Sequence, residues 1–127
     1  MCKDYYIYMK EHSDWENWIN NMFLQIGIPQ GIKGYDYLMA AVVMATEEPE
    51  LIHTMTREFY PRLADMFNTS PSGVERAIRH AIKLAWASGS LTVLTATFGY
   101  TISVDKEKPT NRNFIATMSN KLRRAYY

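Results

Sequence analysis

The amino-acid sequence predicts a mainly helical fold organised as one domain. Apolar residues recur at helical spacing along most of the 127 residues, and 47% of the chain is apolar. No internal repeat, linker or low-complexity tract divides the sequence, and a chain of this length can bury a core of its own. We therefore expect a single helical domain over residues 13–127. Residues 1–12 are expected to form a flexible N-terminal extension, and the first 26 residues either replace a linker or pack as an extra element.

The first confident helix lies in SDWENWINNMFLQIG. Ser13 or Asp14 is available as the N-cap, and Gly27 is the expected stop. The apolar positions follow the spacing of one helical face: Trp15, Trp18, Ile19, Met22, Phe23 and Ile26. This segment is predicted to be amphipathic.

Two further apolar stripes follow the IGIPQGIKG turn. The first consists of Tyr37, Leu38, Ala41, Val42 and Ala45. It should end near Glu47 and Glu48, because Pro49 discourages continuation. The second stripe consists of Ile52, Met55, Phe59, Leu63 and Phe67. Pro61 interrupts it, and either kinks this helix or begins a new short one in its first turn.

The segment SGVERAIRHAIKLAWASG predicts a capped amphipathic helix. Ser72 and Glu75 have the spacing of a capping box, and Gly89 should end the helix. The apolar side consists of Val74, Ala77, Ile78, Ala81 and Ala85. The polar side, an arc of roughly 140°, consists of Ser72, Glu75, Arg76, Arg79, His80 and Lys83.

The last third of the chain is less uniform. The stretch LTVLTATFGYTISV is rich in β-branched residues and alternates roughly, which favours strands in a hairpin. A closing helix is expected after Pro109-Thr110-Asn111, with an apolar face of Phe114, Ile115, Met118 and Leu122. Basic residues at its carboxyl end suit the helix dipole.

A short helix after Pro61, a turn near 68–71 and the capped helix together give the layout of a helix-turn-helix over about 61–88. A helix held by one face can enter the major groove of DNA with the other. Arg76 and Arg79 could then bind guanine, Glu75 could accept from cytosine, and His80 could donate to a base or a phosphate. Lys83 would contact phosphate, and so would Ser70 and Ser72 at the helix start. A charged helix face is also typical of an ordinary solvated surface, so spacing alone leaves both interpretations open.

Charge is distributed unevenly between the two halves of the chain. Residues 1–56 carry three basic side chains against eight acidic ones, whereas residues 57–127 carry eleven against five. The basic half contains the predicted recognition helix. This asymmetry suggests a polyanionic partner for the second half.

Several classes of function find no support in the sequence. The longest apolar run is too short to cross a bilayer and the N-terminus lacks a signal peptide, so a cytoplasmic location is expected. The single cysteine, Cys2, excludes a disulfide framework and a zinc-cysteine cluster. His12, His53 and His80 lack metal-ligand spacing, and no catalytic motif is present, so neither a metal, a cofactor nor an enzymatic activity is expected.

The runs GIKGYDYLMAA, EFYPRLADMFNTSPSGVERAIRHAIKLAWASG and FGYTISVDKEKPTNRNFIATMSNKLR resemble the DNA-binding effector domain of the stage zero sporulation protein A family. The resemblance covers about residues 27–124 and implies an all-α fold of about six helices. It implies that the helix after Ser72 reads boxes of the TGTCGAA type, with Glu75, Arg76, Arg79 and His80 at the family's base-reading and phosphate-contacting positions. It also makes the segment after Gly89 a helix that meets the RNA polymerase sigma subunit, through Thr95 and Phe98, instead of a strand.

Two departures from the family pattern stand out. The chain begins at Met1 without the receiver domain of full-length members, which puts control by phosphorylation in doubt. Gly73 stands where the family often has arginine, which removes a contact at the helix start. These departures support an alternative: a module that regulates a full-length homologue or the sigma subunit by protein contact. The sequence leaves pairing of two copies on DNA open.

Overall fold

Every regular element of the structure, a computed structural model that describes residues 3–99 and 108–126, is helical. Seven α-helices lie within these ranges: α1 (Lys3–Lys10), α2 (Ser13–Ile26), α3 (Lys33–Glu47), α4 (Tyr60–Phe67), α5 (Pro71–Ser88), α6 (Leu91–Phe98) and α7 (Asn111–Tyr126). A 3₁₀ turn at Pro49–His53 and a π-helical turn at Met55–Phe59 connect α3 to α4. The all-α fold is confirmed.

Helix α3 is the centre of the fold. Between positions 34 and 46 only Asp36 is not buried, and α3 packs against α2, α4, α5 and α7. The sequence suggested a single apolar stripe, but neighbours cover this helix on all sides. Apolar residues therefore cover most of its circumference, as expected for a central helix.

The ends of α2 agree only in part with the sequence prediction. Gly27 ends the helix as expected, in the left-handed conformation at φ 99°, with its N–H bonded to the carbonyl oxygen of Phe23. The predicted cap, Ser13 or Asp14, is wrong. The helix begins one residue earlier because the carbonyl of His12 accepts from Glu16 N at 2.9 Å, and no side chain caps it.

Pro61 begins a short helix, the second of its two predicted alternatives. It lies in the first turn of α4, where its missing N–H leaves no intrahelical bond unmade. The preceding part of the apolar stripe does not continue α4 as one regular helix. Ile52 lies in the 3₁₀ turn and Met55 begins the π-helical turn.

The strand prediction is wrong for 91–98, and the helix implied by the family resemblance is confirmed there. Ser90 caps α6, since its side chain accepts from Val93 N. Leu94 and Phe98, one helical turn apart, are both buried. Tertiary burial at helical spacing overrides the β-propensity of the threonine and valine residues. The rest of the predicted hairpin, residues 100–104, lies outside the described residues, as does Cys2.

The N-terminal extension packs on the first helix of the predicted helix-turn-helix. Tyr5 and Met9 of α1 are buried, and the Tyr5 ring lies 4.8 Å from that of Phe67 in α4, centroid to centroid. The Tyr8 hydroxyl donates to Glu47 at the end of α3. The described part of the extension, α1, thus braces both α3 and α4.

Helices α3 and α5 approach closely at Gly34. A Cβ at this position would lie 2.3 Å from the carbonyl oxygen of Ala77 and 2.8 Å from the Cβ of Ala81, both in α5. Neither group is the end of a flexible side chain that could turn aside. Only glycine therefore allows the observed distance between these two helices.

Replacing Gly34 by alanine is expected to lower the free energy of unfolding by about 1–3 kcal/mol, the usual cost of overpacking. Alanine forms helices better than glycine, so a loss of stability in this variant is attributable to the steric clash. Urea denaturation followed by circular dichroism measures it. Gly31→Ala is the matched control, because a Cβ there meets nothing within 4 Å. Equal stability of the two variants would contradict the close approach.

Candidate nucleic-acid interface

Helices α4 and α5 are joined by a three-residue turn, in keeping with the predicted helix-turn-helix. Helix α4 ends at Phe67, and Asn68 follows in the left-handed conformation at φ 57°. Asparagine tolerates this conformation better than most residues. The two helices pack against each other directly after the turn.

The start of α5 differs from the predicted capping box. The N-cap is Ser70, whose hydroxyl oxygen accepts from Gly73 N at 3.1 Å, and Pro71 is the first helical residue. Ser72 and Glu75 therefore lie within the helix. Proline at the first helical position explains the shift, because its φ favours the helix and it has no N–H to satisfy. The expected end of the helix is confirmed, since Gly89 follows Ser88.

The back of α5 is buried against the core, as its periodicity predicted. Its buried side chains are Val74, Ile78, Ala81, Ile82, Ala85 and Trp86. Trp86 packs between α6 and α7, with ring centroids 5.0 Å from Phe98 and 6.3 Å from Phe114. The helix is thus held along its length by one face.

The opposite face of α5 points to solvent. Arg76, Arg79, His80 and Lys83 are exposed. Within the described ranges, Arg79 is the member of this set that has an ion pair, with its guanidinium 3.5 Å from the carboxylate of Glu75. This i,i+4 pair is exposed and worth a few tenths of a kcal/mol, so it does not hold the arginine in place.

Glu75 is less exposed than the other residues that are predicted to contact DNA from α5. Its side chain is half-buried, and its backbone carbonyl accepts a hydrogen bond from Asn111 at 3.1 Å. The carboxylate is therefore positioned at the edge of the exposed face, beside Arg79.

The two serines at the start of α5 are both exposed. Their hydroxyl oxygens lie 3.4 Å apart, and Ser70 still has a proton to donate although its oxygen serves as the cap. No acidic residue occupies the first turn of α5. The positive end of the helix dipole is thus not neutralised from within the helix.

Asn111, the first residue of α7, connects both helices of the motif. Its amide donates to the Tyr60 hydroxyl at 3.0 Å and to the Glu75 carbonyl at 3.1 Å. Burial raises the pKa of Tyr60 above its ordinary value. In the sequence Asn111 marks only the start of a predicted helix, and nothing there predicts this contact. The signal was weak: a polar residue at the head of an apolar stripe.

Residues 19–122 match the family model described as sporulation initiation factor Spo0A C terminal. The chain belongs to this family. The match covers the end of α2 and all the helices from α3 onward, apart from the last residues of α7. As a Spo0A C-terminal member, the chain is a DNA-binding effector domain of the sporulation-regulator type.

Helix α6 of this Spo0A C-terminal domain presents Thr95 but not Phe98. Thr95 is exposed, whereas Phe98 is 5% exposed and its ring stacks on Phe114 at 5.3 Å. Contact of α6 with a partner protein stays a prediction, and burial disfavours a direct part in it for Phe98. Its aromatic side chain belongs to the core, and a protein that contacts α6 would reach Thr95.

Within 3–99 and 108–126, no three His, Cys, Asp or Glu side chains form a group that could hold a metal ion. No helix in those ranges is both long enough and apolar enough to cross a bilayer.

Asn111→Ala is expected to lower the free energy of unfolding by about 1–3 kcal/mol, because it leaves the Glu75 carbonyl and the Tyr60 hydroxyl without this donor. Thermal and urea unfolding measure the change. Asn113→Ala is the control: it removes the same group from an exposed position in the same helical turn. A loss of the same size in both variants would show that the buried contact contributes nothing.

Proposed function

We propose that the protein is a sequence-specific transcription regulator that inserts α5 into the major groove of a TGTCGAA-like box. The observation that carries the proposal is the outward face of α5, with exposed cations on a helix whose opposite face is buried, in a chain of the Spo0A C-terminal family. Such a helix can enter the groove without exposing the core. Acting on the chromosome, the protein would work in the cytoplasm.

The base contacts are assigned by donor and acceptor chemistry. Arg76 and Arg79 bind guanine through O6 and N7, and Glu75 accepts from the amino group of cytosine. His80 donates to a base or a phosphate. Positions 76 to 83 span about 10 Å of helix, which matches about three base-pair steps.

Phosphate contacts fix the position of α5 in the groove. The exposed face of α5 formed by Arg76, Arg79, His80 and Lys83 is called the reading face, and Lys83 binds a phosphate at its carboxyl-terminal end. Ser70 and Ser72 donate to a phosphate at the helix start, where the unneutralised dipole favours an anion. These contacts give affinity on every sequence, whereas the arginines give selectivity.

Arg76→Ala and Arg79→Ala should each reduce the preference for the box over a scrambled duplex by about 5- to 150-fold, the equivalent of about 1–3 kcal/mol. Lys83→Ala should weaken binding to both duplexes equally and reduce the salt dependence by about one phosphate contact. Fluorescence anisotropy over a series of KCl concentrations measures both effects.

Arg62→Ala is the control for these arginine variants. Arg62 is an exposed arginine of α4, outside α5, that pairs with Glu48 and Glu58. It should retain the preference for the box. If the wild-type protein bound box and scrambled duplexes with equal affinity at physiological salt, the proposed function would be wrong.

We also propose that α6 contacts the sigma subunit of RNA polymerase through Thr95, which is exposed next to α5 in the chain. Thr95→Arg should bind the box normally but activate transcription poorly in a purified system. Unchanged activation would contradict this contact. Recovery of sigma or a full-length homologue in a pull-down, with no binding to DNA, would instead select regulation by protein contact alone.

A further inference from the structure

A basic surface continues from α5 onto the start of α7. A cavity of about 560 Å³ lies between the two helices, and its charged lining residues are Glu75, Arg79, Lys108 and Arg112. A second cavity of about 370 Å³ lies beside it, lined in part by Arg57 and Arg112. Arg112 and Thr56 border both cavities, so the two form one track.

This phosphate track, defined here as Arg57, Lys108 and Arg112, has an unbalanced positive charge. In the part of the chain that the structure describes, Glu75 is the one acidic residue that lines either cavity, and its carboxylate pairs with Arg79. Among residues 3–99 and 108–126, no ion pair involves a member of the track. Arg57 and Arg112 are exposed, and Lys108 is half-buried. The track therefore favours an anionic ligand.

The position of the track relative to α5 is fixed by Asn111. Its amide bond to the Glu75 carbonyl, 3.1 Å long, holds the first turn of α7 against the first turns of α5. Arg112 is the next residue, so its Cα lies about 3.8 Å from that of Asn111. Packed helix axes lie about 8–10 Å apart, and the major groove is about 12 Å wide. A residue beside an inserted helix at this distance reaches the sugar-phosphate wall of the groove.

We propose that Arg112 and Lys108 bind backbone phosphates of the DNA duplex that α5 reads, on the flank of the box, with Arg57 extending the contact outward. This inference rests on the proposed function of α5. Phosphate is the shared chemistry of a nucleic-acid backbone and of a free inorganic ion. The backbone is favoured because the track spans two adjoining cavities and continues from the reading face, as a polymer requires and a single small anion does not.

The test compares Arg112→Gln and Lys108→Gln with Arg124→Gln. Arg124 is exposed in the last turn of the same helix, about 18 Å from Arg112 along the helix axis. Its substitution therefore removes one positive charge at the other end of α7. Binding of each intact variant to the TGTCGAA-type duplex and to a scrambled duplex is measured by fluorescence anisotropy over a series of KCl concentrations. Circular dichroism confirms that each variant is folded.

Arg112→Gln is expected to weaken binding to both duplexes about 3- to 10-fold and to lower the slope of log affinity against log salt by about one. Lys108→Gln should do the same, whereas Arg124→Gln should match the wild type. Preference for the box should stay unchanged in all three. A second probe is the same duplex with neutral methylphosphonate linkages flanking the box, on which wild type and Arg112→Gln should bind equally.

Several results would overturn the inference while the proposed function stands. The first is a normal preference for the box with an unaltered salt slope in Arg112→Gln and Lys108→Gln. The second is an equal loss of affinity in Arg112→Gln and Arg124→Gln. The third is a difference in affinity between wild type and Arg112→Gln that persists on the methylphosphonate duplex. Saturable heat on titration of inorganic phosphate, absent in Arg112→Gln, would assign the track to the free ion instead. If the wild type bound no duplex, the proposed function and this inference would both be wrong.

Discussion

The close approach of α3 and α5 at Gly34 is the constraint on which the rest of the structure depends. Helix α3 is buried on all sides, so its position is set by its neighbours, and α5 is one of them. The missing side chain lets the backbone of α5 lie directly against α3 at Ala77 and Ala81. Because these residues define the back of α5, the same contact determines which side chains face outward. The packing of the core and the orientation of the exposed face of α5 are therefore set by the same contact.

Two kinds of interaction hold α5, and they act differently. Burial of its apolar back provides most of the stabilisation but has little directional preference. The hydrogen bond from Asn111 to the Glu75 carbonyl is directional and restricts rotation and sliding of the helix near its start. Helix α1 adds support from the other side through the contact of Tyr5 with Phe67. The motif is therefore braced at both of its helices.

Periodicity predicted the long elements well, because α2, α3, α5 and α7 each repeat their apolar spacing over three or more turns. It failed where a local signal had two interpretations. Ser70 and Ser72 are both good caps, and only the position of Pro71 decides between them. The β-branched residues of α6 favour strands until the burial of Leu94 and Phe98 is known. The outward side chains of α5 were predictable because its back is apolar. Arg112 was not, since the contact that brings α7 to α5 joins residues 36 positions apart.

The hydrogen bond from Asn111 of α7 to α5 is accepted by the main-chain carbonyl of Glu75. A main-chain carbonyl is the same whichever amino acid occupies the position. The anchoring of the helix is thus indifferent to the identity of the side chains at Arg76, Arg79 and His80, which take no part in the core. The residues that anchor α5 are thus different from those that it exposes to solvent. Substitutions at these exposed positions would therefore leave the packing of the core intact, and on the proposed function they would change which DNA sequence is bound.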